Sequence, residues 1–131
     1  MTKHSNVHID EEFVKSQSKN IDESDFVQLD NKKKRLRKIM NLGVFLKQKE
    51  KIKLLVELVQ QYRKGTYRAI PWKSLSAILF TLLYIINPFD IVPDVLPFFG
   101  YIDDLSVFLA LSNLVESDLE NYKIWKYGLK E

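Results

Sequence analysis

The chain of 131 residues contains no cysteine. Disulfides, zinc ribbons, iron–sulfur clusters and thiol chemistry are excluded at once. The absence fits a reducing compartment without requiring one. Histidine is almost as scarce: His4 and His8 both lie at the extreme N-terminus. A histidine-based catalytic triad or a buried multi-histidine metal site is therefore not expected. No apolar stretch of about 7–15 residues follows the polar start, so no secretory leader is expected. Thr2 stands where a myristoylation box needs Gly, and no cysteine is present for prenylation. Long hydrophobic runs are limited too. The longest uncharged window considered, Ser74 to Phe89, is 16 residues, about 24 Å as a helix against a hydrocarbon core of roughly 30 Å.

Charge is present in quantity and is segregated. The overall +3 conceals net −4 over residues 1–30, +9 over 31–53 and −2 over 54–131. Apolarity is segregated as well. Between Leu75 and Leu111, 25 of 37 residues are apolar, against 9 of the first 30. The core is therefore expected in the C-terminal half, and residues 1–30 are expected to be a disordered acidic tail.

Residues 31–65 read as a basic amphipathic helical segment. Asp30-Asn31 is placed to cap a helix from about Lys32 to Lys47, with Leu36, Ile39, Met40, Gly43 and Leu46 as its apolar stripe. A second helix, or a bent continuation, runs from about Lys49 to Arg63 on Ile52, Leu55, Val56, Val59 and Tyr62, with Glu57 facing water and Gly65 as its stop. Pro71 suits the first turn of a third helix reaching about Ile86. From Ala77 to Ile86 only Thr81 is polar; a helix apolar all round belongs at the centre of a bundle or in lipid. A fourth helix is expected from Asp103 or Asp104 to about Val115. Ser117-Asp118-Leu119-Glu120 matches a capping box for a fifth, carrying Leu119, Tyr122 and Trp125. No strand alternation and no internal repeat occur. The fold class is all-α: a small helical bundle built on an apolar helical hairpin with an Asp/Pro-rich connecting loop.

That loop carries four carboxylates, Asp90, Asp94, Asp103 and Asp104, among apolar residues punctuated by Pro88, Pro93, Pro97 and Gly100. Three proposals fit them. As helix caps, each Asp accepts N–H bonds at the start of a short turn, and a proline three positions on sits where a missing N–H costs nothing. As a hard-cation site, they offer the oxygens that Mg²⁺ or Ca²⁺ prefers. As a carboxylate pair, they offer acid–base chemistry. The caps explain the D-x-x-P spacing directly, and no partner His, Lys or phosphate loop stands in the motif for the other two.

The segment Asn87 to Asp104 resembles the YkvA-like domain of unknown function. Its pattern is an apolar helix ending in Tyr, then S/N-P-x-D-L/I-I/V-P-D-x-I/L-P-x-x-G-x-x-D-D. Tyr84, Pro88, Asp90, Pro93, Asp94, Pro97, Gly100, Asp103 and Asp104 fit it, as does Ile70-Pro71 ahead of the helix. The resemblance covers roughly residues 66–116, within a hairpin domain extending over 66–131. It implies a mostly bacterial family without an agreed activity, often described as membrane-associated. No cofactor is expected, and no small-molecule substrate is inferred.

The run Lys32, Lys33, Lys34, Arg35, Arg37 and Lys38 is a solvated surface, an attractor for anionic lipid, or a phosphate contact for nucleic acid. Positive charge at a helix start opposes the macrodipole, which suggests a use. No recognised nucleic-acid module or stacking aromatic accompanies it, and the apolar hairpin nearby makes lipid the preferred reading. Arg68 and Lys73 precede the hairpin and Lys123, Lys126 and Lys130 follow it, while the loop between carries only acids. That distribution matches two spans with both termini cytoplasmic, with Trp72 and Trp125 available at an interface, although neither apolar helix is long enough for a clean span. The expectation is a non-enzymatic, membrane-associated interaction or scaffold protein, peripheral or shallowly inserted, with an unidentified protein partner. Its alternatives are an ion-binding or catalytic protein using the aspartates, a nucleic-acid-associated protein using residues 32–38, and a cytoplasmic helical bundle.

Overall fold

In a computed structural model, residues 3–86 and 104–128 are described. They form helices α1 (Lys3–Ser18), α2 (Ser24–Asn31), α3 (Lys33–Met40), α4 (Gly43–Leu46), α5 (Lys49–Lys64), α6 (Trp72–Ile86), α7 (Asp104–Leu114) and α8 (Glu116–Tyr127). No strand occurs among the described residues. The fold is an all-α bundle.

Helix α6 is the axis of the bundle. All twelve residues from Leu75 to Ile86 are buried, including both flanks of the helix. They are covered by α1, α7, α2, α3 and α5. The all-round apolarity of this segment is thus answered by the chain's own helices. The Thr81 hydroxyl is enclosed there without a hydrogen-bond partner.

The N-terminal head takes part in this core, which corrects the expectation of a disordered tail. Phe13 and Val14 on α1 are fully buried. Phe13 meets Phe80 edge-on at 5.7 Å and Tyr84 at 5.5 Å between ring centroids. On α2, Phe26 and Leu29 turn inward, and Phe26 stacks on Tyr62 at 6.5 Å. The head is polar enough to look unstructured because each helix contributes only one or two apolar anchors. Tertiary burial of large side chains outweighs that weak local tendency.

Helix ends show which local signals work. Gly65 adopts φ +86°, and the amides of Gly65 and Thr66 donate to the carbonyls of Tyr62 and Gln61 at 3.0 Å each. This Schellman closure ends α5 where expected. The capping box, however, lies elsewhere than expected. Ser117 sits inside the first turn of α8, and no side chain caps that helix. The reciprocal pair is Asp22 and Asp25 at the start of α2. The Ser24 amide donates to Asp22 Oδ1 at 2.9 Å, and the Asp22 amide donates to Asp25 Oδ2 at 2.9 Å. The bonds from Ser24, its hydroxyl first, hold the Asp22 carboxyl below its ordinary range.

The predicted helix 32–47 is broken. Asp30 and Asn31 end α2 instead of capping α3, and the chain turns at Lys32. Asp30 pairs with Lys33 at 3.2 Å and with Arg63. A second break at Asn41-Leu42 separates α3 from α4. That break shifts the helical phase, so Phe45 faces the core while Leu46, expected in the stripe, is exposed.

Candidate functional site

Helix α3 has two unlike faces. Leu36 and Met40 are buried, and Ile39 packs against the core. Lys34, Arg35, Arg37 and Lys38 are exposed, while Lys32 and Lys33 are half-buried at the α2–α3 turn. Lys33 has Asp30 as its partner. Among the described residues no carboxylate forms an ion pair with Lys34, Arg35, Arg37 or Lys38. The first turn of α3 holds no acidic residue; Asp30 offsets Lys33, and Lys34 and Arg35 oppose the macrodipole. A cleft of about 370 Å³ between α3 and α5 extends this surface with Lys33, Arg37 and Lys53, and Glu57 also lines it.

Glu57 does not simply face water as the sequence suggests. Its carboxylate, with 35% side-chain exposure, clasps α5 to α8. The Tyr122 hydroxyl donates to it at 2.6 Å and the Lys126 ammonium at 2.9 Å. Burial pushes the Glu57 carboxyl up, but Tyr122 and Lys126 together bring it below its ordinary value. Burial, then the Glu57 bond, pushes the Tyr122 hydroxyl well up, and the Glu57 bond raises Lys126. Tyr122 is also the hub of an aromatic cluster with Tyr67 at 5.1 Å and Trp125 at 5.7 Å. The clasp is built for docking α8, and Trp125 remains half-exposed on its outer side. Trp72, also half-exposed, packs on Phe26 at 6.2 Å.

A second cleft, of about 750 Å³, opens between α1, the start of α6 and the end of α7. Lys15, Lys19, Trp72, Lys73 and Ser76 line it. No residue of α3 reaches it, so the basic face and this cleft are separate features.

Of the predicted loop residues, Pro88, Asp90, Pro93, Asp94, Pro97, Gly100 and Asp103 lie outside the described residues, and Asp104 opens α7. The cap, cation-site and acid–base readings of the four aspartates accordingly fall outside what is described. No group of three or more His, Cys, Asp or Glu among the described residues could hold a metal ion. No helix among them is long and apolar enough to cross a membrane. The sequence reading missed Leu42 and Leu46, which are more than half exposed at the α3–α4 corner. The signal was available in Asn41-Leu42-Gly43, a weak point at which the predicted helix could break.

An all-α bundle around one enclosed apolar helix, with a cationic outer face, defines the class of molecule. Residues 74–110 match the family described as "Protein of unknown function (DUF1232)". The chain is also similar to "Uncharacterized membrane protein YkvA" of Bacillus subtilis (strain 168), with 33% identity over 70 residues. The aligned stretch is 53% of this chain and 66% of that relative, just under two thirds of its length. These similarities support a YkvA-like domain in this part of the chain. No solved structure matches it. Neither description names an enzymatic activity, and the relative is described as a membrane protein.

Proposed function

We propose that the protein is a non-enzymatic, membrane-associated interaction or scaffold protein that meets an anionic bilayer surface through the outer face of α3. Both termini lie on the cytoplasmic side in this reading, and α8 with its exposed Trp125 is free for a protein partner. The observation that carries the proposal is a cationic face without an ion-pair partner among the described residues. Lys34, Arg35, Arg37 and Lys38 stay solvated while the opposite side of the same helix is sealed into the core. Each basic residue near an anionic membrane surface contributes about 1 kcal/mol, roughly five-fold in binding. The attraction fades beyond about 8–10 Å at physiological ionic strength. The enclosed α6 supports a peripheral placement, because its apolar surface is already taken up by neighbouring helices.

Co-sedimentation with vesicles tests this. The purified full chain binds phosphatidylserine-containing vesicles at low salt and phosphatidylcholine vesicles far less. Replacing Lys32, Lys33, Lys34, Arg35, Arg37 and Lys38 by Gln abolishes the difference. A chain that ignores anionic vesicles at low salt, or a Gln variant that binds them as wild type does, contradicts the proposal. Preferential capture of duplex or single-stranded nucleic acid over vesicles moves the same face to phosphate recognition of another kind.

A further inference from the structure

The basic surface contains an apolar interruption that electrostatics alone leaves unexplained. Leu42 is 55% exposed and Leu46 is 54% exposed, on a corner of four-residue helix and turn. Most leucines of the described core are below a tenth of that exposure. The corner is held firmly. Phe45 between the two leucines is buried and meets Phe108 edge-on at 6.3 Å. Lys49 Nζ donates to Asn41 Oδ1 at 2.9 Å, and Asn41 Nδ2 donates to the Arg37 carbonyl at 2.8 Å. The amides of Leu42 and Phe45 donate to the Ile39 and Leu42 carbonyls at 3.0 and 2.9 Å. Leu42 and Leu46 are therefore presented outward by an anchored turn.

The charge around them selects what they meet. Lys38, Lys47, Lys49, Lys51 and Lys53 flank the corner in sequence, and Glu50 is the one acid in residues 31–53. Glu50 is itself neutralised by Lys53 at 3.6 Å. The other exposed large apolar residues among those described, Val27, Trp72, Leu109, Ile124, Trp125 and Tyr127, belong to segments of the chain with net negative charge. Exposed leucines flanked in sequence by lysines complement a surface with anionic headgroups outside and acyl chains beneath.

We propose that Leu42 and Leu46 form the insertion tip of the protein. They enter the headgroup–acyl boundary of an anionic bilayer once the basic face of α3 has brought the corner to it. This rests on the membrane reading above and assigns the apolar half of binding to α4 rather than to the α6 hairpin.

Salt separates the two halves, since raised salt screens the lysines and leaves apolar transfer intact. Wild-type protein retains part of its anionic-vesicle binding at raised salt. The double variant Leu42→Ser, Leu46→Ser folds normally by circular dichroism, binds at low salt, and binds about ten- to thirty-fold more weakly than wild type at raised salt. The absence of cysteine permits a second readout. Leu46→Cys carries one environment-sensitive fluorophore, and its emission shifts to the blue on adding phosphatidylserine vesicles, while the same label at Asn121→Cys on α8 does not shift. Equal binding of the double variant and wild type at both salts, or an unshifted label at position 46 on bound protein, overturns the insertion tip and leaves the basic-face reading standing. Failure of wild type to bind any anionic vesicle overturns both. A shift at position 46 that follows protein concentration without vesicles assigns the leucines to a second copy of the chain and overturns the tip.

Discussion

Phe13 shows how much one side chain can decide. It is fully buried against Phe80 and Tyr84, so the whole of α1 depends on a few such anchors. Phe13→Ala is expected to destabilise the chain by about 3–5 kcal/mol, as for a large aromatic removed from a core, measured by urea unfolding. A cost near zero would return the head to the disordered state its composition suggests. Glu57 gives a pH signature. Its folded value is depressed despite burial, because Tyr122 and Lys126 favour the carboxylate. A depressed carboxyl contributes stability above its ordinary value near 4.5, and that contribution is lost as pH falls through the folded value. Lys126 and Tyr122 are raised, so their share is intact below their ordinary values near 10.5 and 10 and fades as pH rises further. Glu57→Gln should therefore be less stable than wild type at pH 7, with the gap closing at pH 3 in parallel urea titrations. These roles were only partly legible in the sequence. Tyr122 was placed inward on its spacing, but the partner that turns Glu57 away from solvent lies 65 positions away. Pattern along one helix carries no information about such a contact.

Elements were legible where the signal is local and hidden where it is not. Gly65 ends α5 in the left-handed region, the conformation that glycine adopts without steric penalty. Gly65→Ala is expected to cost about 1–2 kcal/mol by denaturant unfolding, and its Arg68 neighbour at 3.7 Å leaves room for the methyl group itself. Gly43→Ala is expected to be neutral or stabilising by up to about 1 kcal/mol, since φ is ordinary there and nothing lies within 4 Å of the added carbon. Reversed signs in this pair would mean that the α4 corner, not the α5 end, needs glycine. The long apolar helix α6 was legible from composition alone. The α3–α4 break was legible only as a weak point at Asn41-Leu42-Gly43, because an uninterrupted stripe from Leu36 to Leu46 satisfies helical spacing equally well. The capping box at Asp22 and Asp25 escaped because the usual signature expects Ser or Thr followed by Glu or Gln. Ser117-x-x-Glu120 has that signature, but the helix had already begun at Glu116.

At the scale of the whole molecule, segregated charge and segregated apolarity become one arrangement. The apolar half supplies the axis, the acidic head wraps it, and the basic segment between them lies across its outer side. Composition alone could not decide whether the apolar helix seeks lipid or its own chain. Among the described residues, Leu75 to Ile86 of α6 are all buried, with α1, α2, α3, α5 and α7 packed against them. The central claim is therefore that the chain encloses α6 itself and approaches lipid through α3 and α4. Amide hydrogen exchange on the purified full chain, with and without phosphatidylserine vesicles, tests this most directly. The account predicts that amides of Leu75 to Ile86 exchange slowly without vesicles and do not change when vesicles are added, while Lys34 to Lys47 gain protection. Fast exchange of Leu75 to Ile86 in the absence of lipid, replaced by strong protection on adding vesicles, would contradict it.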